Sequence, residues 1–136
     1  MDRDETLEFV KENKRVVLAT LRADGGPQMT PVAAVTDDQG RVMISSRETA
    51  MKVKNLRRRP RAWLCVVTDR WYGEFAQVEG DVEIISLPDA MDGLVDYYRR
   101  AGGEHPNWDE YRQAMVDEQR VLIRVTVDRT GPNRSG

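Results

Sequence analysis

The sequence predicts a mainly β protein of the α+β kind, a six-stranded antiparallel barrel, closed or nearly so, with a few flanking helices. Three observations lead there. Short runs rich in β-branched and aromatic residues alternate with Gly, Asp and Pro turn signals. One helical segment interrupts them, between the third and fourth runs. Strands and helices do not alternate regularly, which argues against a doubly wound parallel sheet. With 136 residues, 40% of them hydrophobic, the chain is expected to be one domain whose core needs no covalent staple.

Residues 4–14 read as an opening helix with Leu7 and Val10 on one side. Residues 15–21, RVVLATL, are β-branched and apolar and read as a strand. Ala23-Asp24-Gly25-Gly26-Pro27 is a turn, residues 28–36 a second strand, Asp37-Asp38-Gln39-Gly40 a turn and residues 41–46 a third strand. Tight connections make these three an antiparallel meander. Residues 48–59 read as a helix, since Thr49, Val53 and Leu56 share a face and Pro60 stops it. Residues 62–68 are apolar on both faces, as a central strand would be. Residues 69–73 form a loop, and residues 74–87 a long strand bent at Gly80. Pro88 opens a helix bearing Met91, Leu94, Val95 and Tyr98 on one side. After a loop at 101–107, Trp108, Tyr111 and Met115 mark a short helix. Residues 120–128 are the last strand, and residues 130–136 read as a frayed tail.

Composition narrows the function. A net charge of −2 disfavours a nucleic-acid binder. Yet residues 49–68 hold Lys52, Lys54, Arg57, Arg58, Arg59 and Arg61 with no acidic residue among them, on a chain that carries 23 acidic residues elsewhere. A local positive field on an acidic protein suits one anionic ligand, or is simply a solvated helix face. The only cysteine, Cys65, excludes a disulfide framework and reads as a buried, inert thiol. The acidic start, MDRDETLEF, is not a secretory signal, and no apolar run has the roughly 20 residues a membrane span needs. The expectation is a soluble, cytoplasmic protein.

Side-chain catalysts are missing. There is no HExxH, GxSxG or P-loop pattern, and the lone His105 lies in a polar loop where a surface or capping role is the ordinary one. No catalytic or metal-binding residue is assigned, and the hard chemistry is expected of a cofactor. The informative stretch is 41–61, RVMISSRETAMKVKNLRRRPR. Ser45 and Ser46 end a strand, and the following helix carries Lys52 in its second turn. Hydroxyls, helix-start N–H groups and a lysine together make a phosphate cradle. Ser-Ser before a helix is also a plain N-cap.

Ser45-Ser46, Met51-Lys52, Asn55-Leu56 and Pro60, in this order and spacing, resemble the FMN-contacting segment of the pyridoxamine 5′-phosphate oxidase-like superfamily. Met51 stands for that family's arginine and Arg59 for its asparagine. Residues 30–35 fall at the spacing of the strand that lies along the isoalloxazine ring. The C-terminal tryptophan and arginine of the family's oxidases have no counterpart in VTVDRTGPNRSG, which argues against pyridoxamine phosphate oxidation. Residues 98–122 and Trp71-Tyr72-Gly73 resemble the actinobacterial branch that uses the deazaflavin coenzyme F420.

The resemblance implies a split β-barrel, a homodimer with the cofactor between subunits, and an F420H2-dependent reductase. Its substrate would be an electron-poor small molecule of the quinone, enone or tetrapyrrole type. It places Thr30, Pro31 and Val32 along the ring, and Ser45, Ser46, Met51 and Lys52 at the phosphate. Arg57 falls on the oligoglutamate tail, and Trp71, Tyr72 and Gly73 on one side of the cleft. Tyr72 would touch substrate, donate a proton or simply pack. Trp108 and Tyr111, at i and i+3, have the spacing of plain core packing. The alternatives are an FMN-binding oxidoreductase of the same fold and a non-catalytic F420, FMN or haem binder.

Overall fold

The computed structural model describes residues 1–131. Their order is α1 (Arg3–Glu12), β1 (Arg15–Leu21), β2 (Pro27–Ala33), β3 (Val35–Thr36), β4 (Val42–Arg47), α2 (Met51–Arg58), β5 (Arg61–Val67), β6 (Phe75–Ile85), α3 (Met91–Gly102), α4 (Trp108–Asp117) and β7 (Arg120–Thr130). Of the tail read as frayed, Thr130 ends β7, and residues 132–136 lie outside the described part.

All seven strands form one antiparallel sheet in the order β2-β1-β5-β6-β7-β4-β3. The strand read at 28–36 accounts for the count of seven rather than six. It breaks at Ala34. Its first part pairs with β1, in register Thr30 to Leu18, and its second with β4, Val35 to Met43. The two ends of the sheet are therefore consecutive pieces of one chain segment, and the curled sheet closes through Ala34. The break falls where the chain changes partner, and hydrophobic pattern alone does not reveal partners.

Alternation along the strands separates two cores. Inside the curl, Val16, Leu18, Ala62, Leu64, Val66, Ala76, Val78, Val42, Ile44, Ile123 and Val125 pack together. Phe9 and Val10 of α1, and Val53 and Leu56 of α2, complete that interior. Each fully buried leucine or valine there contributes about 1.5–3 kcal/mol. Outside the curl, Val35, Met43 and Leu122 are covered by Leu94 and Val95 of α3 and by Tyr111 and Met115 of α4. Among the described residues, nothing covers the outer faces of β2, β1 and β5 in this way. Cys65 lies there, half-buried and opposite Val17, rather than in the interior that its apolar run suggested.

Two local features follow from chemistry that the sequence announced. The long strand β6 shifts register between Glu79 and Gly80, and a Cβ on Gly80 would stand 1.8 Å from the Thr126 carbonyl oxygen. Only glycine permits that approach. At the start of α4, Asn107 caps the helix by accepting from the Glu110 amide at 3.1 Å.

The segment from 45 to 52 differs from its reading. β4 runs through Arg47, the chain turns at 48–50, and α2 starts only at Met51 behind Ala50, which has no capping side chain. The turn is pinned by the Glu48 amide donating to the Gln119 carbonyl at 2.9 Å. Lys52 therefore stands in the first turn of α2, not the second. Ser45 and Ser46 are strand residues, not its N-cap.

Candidate functional site

Strand alternation sends Ser45 and Ser46 to opposite faces. Ser46 follows Val42 and Ile44 inward, is buried, and donates a long bond to the Arg47 carbonyl at 3.4 Å. Ser45 follows Met43 outward and lines a cleft of about 370 Å³ with Tyr97 and Tyr98 of α3, His105, Glu110, Tyr111 and Met115, and Glu118 and Arg120. The pair thus offers this cleft one hydroxyl, not two.

Charge gathers around Arg120, which lines this cleft. Glu118 is shared by Arg47 at 3.5 Å and Arg120 at 2.8 Å. Lys52, half-buried, makes no ion pair among the described residues. Its ammonium is held below the ordinary lysine range, first by loss of solvent and then by the Arg120 charge. A partly desolvated lysine whose perturbing neighbour is another cation lacks a counter-ion. That donor set fits the phosphate of a flavin-type cofactor.

A second, apolar groove of about 510 Å³ is lined by Val16, Val17, Pro31, Val32, Ala33, Val67 and Trp71, with Lys14 and Arg15 at its edge. Trp71 is 69% exposed, and its φ of 66° is left-handed, a conformation an aromatic residue rarely adopts. The Trp71 amide donates to the Thr68 carbonyl at 3.0 Å, which holds the loop in that shape. Pro31 suits an edge strand because it has no N–H to leave unpaired.

Tyr97 joins the two cavities. It lines the charged cleft, and its hydroxyl donates to the carbonyl of Ala33, which lines the apolar groove, at 2.8 Å. Burial pushes the Tyr97 phenol above its ordinary range, so it stays a donor at neutral pH. The structure therefore brings Pro31, Val32 and Trp71 together in the groove and Ser45 with Arg120 in the cleft, while Lys52 feels the Arg120 charge without lining that cleft. Thr30 lies one residue before the groove, in a polar network with Gln28. Met51 and Tyr72 are exposed, and Gly73, with a φ of 124°, carries the turn after them. Arg57 is engaged elsewhere: its guanidinium donates to Glu48 at 2.6 and 3.1 Å and to the Ser86 hydroxyl at 3.0 Å.

Tyr97 and Arg120 are functional candidates that the sequence did not single out. Tyr98 lies on the apolar stripe of its helix, whereas Tyr97 lies one step off it. Arg120 opens a strand and carries no motif. His105 matches its reading, since its Nδ1 accepts from the Asn107 amide at 2.9 Å, and it also lines the cleft. Trp108 and Tyr111 pack as their spacing foretold, with rings 5.5 Å apart. The Tyr111 hydroxyl is spent on the Leu94 carbonyl at 2.7 Å, and burial pushes its phenol up to about 12.

The family model for pyridoxamine 5′-phosphate oxidase matches residues 3–132. Among solved structures, a conserved hypothetical protein from Mycobacterium tuberculosis is similar at 25% identity and a TM-score of 0.78, over 99% of this chain and 85% of that one. A protein described as an F420 reductase is similar at 22% identity and a TM-score of 0.67, over 91% of this chain and 94% of that one. A haem storage protein from Vibrio cholerae is similar at 16% identity and a TM-score of 0.69, over 98% and 96%. The last two share the fold. No helix among the described residues is long and apolar enough to cross a membrane.

Proposed function

The chain belongs to the pyridoxamine 5′-phosphate oxidase family, and from that premise we propose that it is a coenzyme F420-dependent reductase of electron-poor small molecules. The observation that carries this reading is the cleft that holds Ser45 and Arg120, joined through Tyr97 to an apolar groove, with half-buried Lys52 near Arg120 and without an ion pair among the described residues. A phosphate would sit with Lys52 and the Ser45 hydroxyl. A planar ring system would lie in the groove against Pro31 and Val32, with the Trp71 indole at its side. When bound, the deazaflavin supplies two-electron reduction of an acceptor such as a quinone, an enone or a tetrapyrrole. The protein's own part is to orient and to exclude water, since no carboxylate or histidine pair is poised for proton transfer in the groove. Lys54 and Arg59, exposed and without an ion pair among the described residues, remain for a long acidic tail. Met29, Pro31 and Trp71 on the uncovered sheet face support a homodimer, whose mass in solution would test it.

One observation favours a shorter anion. Arg57, the residue assigned to the tail, already has Glu48 and Ser86 as partners. FMN, which ends at its phosphate, would not need it. Side-by-side fluorescence titration with F420 and FMN separates the readings. Tighter F420 binding, followed by turnover with an electron-poor acceptor, supports the reductase. Tighter FMN binding moves the function to the flavin oxidoreductases, and binding without turnover of any acceptor leaves a carrier.

A further inference from the structure

Arg120 carries more donors than its neighbours use. Its Nε and Nη2 both donate to one oxygen of Glu118, at 3.0 and 2.8 Å, and the rest of its fork has no acceptor among the described residues. The side chain is only 26% exposed and lines the cleft together with Ser45, Tyr97 and Tyr111. Burial acts first on the Tyr97 and Tyr111 phenols and on the Lys52 ammonium, and each of the three also feels the Arg120 charge. The guanidinium therefore stands near the tyrosine wall of the cleft and near Lys52. Glu118 holds an awkward position. It follows the last residue of α4, at the negative end of the helix dipole, where a carboxylate is disfavoured, and no basic residue lies in the last turn of α4 to offset it. What holds it is Arg120 and, at 3.5 Å, the exposed Arg47. Both arginines bond the same oxygen, Oε1, and the other takes no hydrogen bond among the described residues. That is half of the two-oxygen pairing that makes an arginine–carboxylate contact strong.

We propose that Arg120 grips the phosphoryl group of the cofactor in this cleft, and that Glu118 is a built-in competitor that occupies its fork until the ligand displaces it. The exchange balances charge, since one oxyanion replaces another. A phosphoryl group also offers the fork more than one charged oxygen, which Glu118 does not. A guanidinium can only donate, so the polarity of the contact is set by the residue itself. Ser45, in the same cleft, adds a hydroxyl, and Lys52 adds positive field. The proposal rests on the cofactor reading above and deepens it by naming the residue that holds the anion and the group that competes with it.

Removing the competitor should tighten binding. In Glu118→Gln the dissociation constants for FMN and F420, read by fluorescence, are expected to fall about three- to tenfold. A residue that only supported the fold would give the opposite sign or no change. Glu110 lines the same cleft, carries the same charge and makes no ion pair among the described residues. Glu110→Gln therefore reports the field alone and should shift both constants by less than about twofold. Arg120→Lys keeps the charge and loses the fork. It should weaken binding about tenfold or more, and in that background the gain from Glu118→Gln should shrink to that of Glu110→Gln. Inorganic phosphate, titrated by calorimetry, should follow the same order of variants at lower affinity, because the grip is on the phosphoryl group. Glu118→Gln sits at a helix end and keeps the test open if Arg120→Lys fails to fold. A dissociation constant that is unchanged or raised in Glu118→Gln, an equal fall in Glu110→Gln, or phosphate binding that ignores the variants overturns the grip by Arg120 and leaves the cofactor reading to Lys52→Ala. A wild type that binds neither cofactor, whether or not it binds phosphate, overturns the proposal together with the reading beneath it.

Discussion

The two ends of the basic run 52–61 have the same sign of charge and opposite circumstances. At its C-terminal end every guanidinium that faces the protein is matched. Arg57 has Glu48 and Ser86, Arg58 has Asn55 and the Leu21 carbonyl, and Arg61 has Glu79, Asp81 and Asp128. At the N-terminal end Lys52 is half-buried, makes no ion pair among the described residues, and feels the charge of Arg120. Matched cations hold the barrel together; on the cofactor reading proposed above, Lys52 is the one left for an anion. A run of basic residues is therefore not one binding surface. On that reading, its binding end is the one where a counter-ion is lacking.

The strongest way to break that contrast is at Lys52. Lys52→Ala is expected to weaken FMN or F420 binding by at least ~1.5 kcal/mol, about tenfold, by removing a charge-assisted contact. An unchanged dissociation constant would remove Lys52 from the site. The pH dependence sharpens the point. The folded lysine titrates below its ordinary 10.5, so in that window the unfolded chain holds more protons than the folded one. Stability of the ligand-free protein should therefore rise with pH through Lys52's folded pKa toward 10.5. Cofactor affinity should fall over the same interval, as the ammonium is lost. Urea unfolding and titration across that range check both slopes, and Lys52→Met should flatten each.

Much of this was readable in the residues. Strand and helix positions followed from apolar period and turn chemistry, and Gly80 announced the bend that the Thr126 carbonyl requires. Lys52 was proposable as an anion contact because a strand, two serines and a helix start stood in sequence order. Partner identity was not readable. The break at Ala34 depends on which strand lies beside residues 35–36, and nothing in residues 28–36 says so. Arg57 and Lys52 look alike in sequence, and only the placement of Glu48 and Ser86 separates them. Tyr97 and Arg120 reach the cleft from elements distant in the chain, so no local spacing could have joined them to Ser45.

Arg61 supplies the opposite break. Arg61→Ala leaves Asp81 and Asp128 without their cation and Glu79 with only its 3.7 Å pair to Arg129, the three carboxylates facing one another across β6 and β7. Its melting temperature should fall, while the dissociation constant measured on the folded variant stays that of wild type. Equal melting temperatures, or a loss of affinity as large as that of Lys52→Ala, would abolish the distinction between the two ends of the run. The fall should shrink in high salt if repulsion among the three carboxylates is its cause.

The smallest expected effect is at Arg57, where the two cofactor readings part. If its guanidinium is fully occupied by Glu48 and Ser86, Arg57→Ala should change F420 and FMN affinity equally, by less than about twofold, within the range of an exposed ion pair. A loss confined to F420 would mean that the oligoglutamate tail displaces Glu48 and takes the arginine for itself. That exchange is chemically balanced, since one carboxylate replaces another, so its net gain rests on how many further carboxylates reach Lys54 and Arg59. A series of F420 forms with increasing tail length, titrated against wild type and Arg57→Ala, reads this directly. Affinity that climbs with tail length in wild type and levels off in the variant assigns Arg57 to the tail. Parallel curves assign it to the barrel.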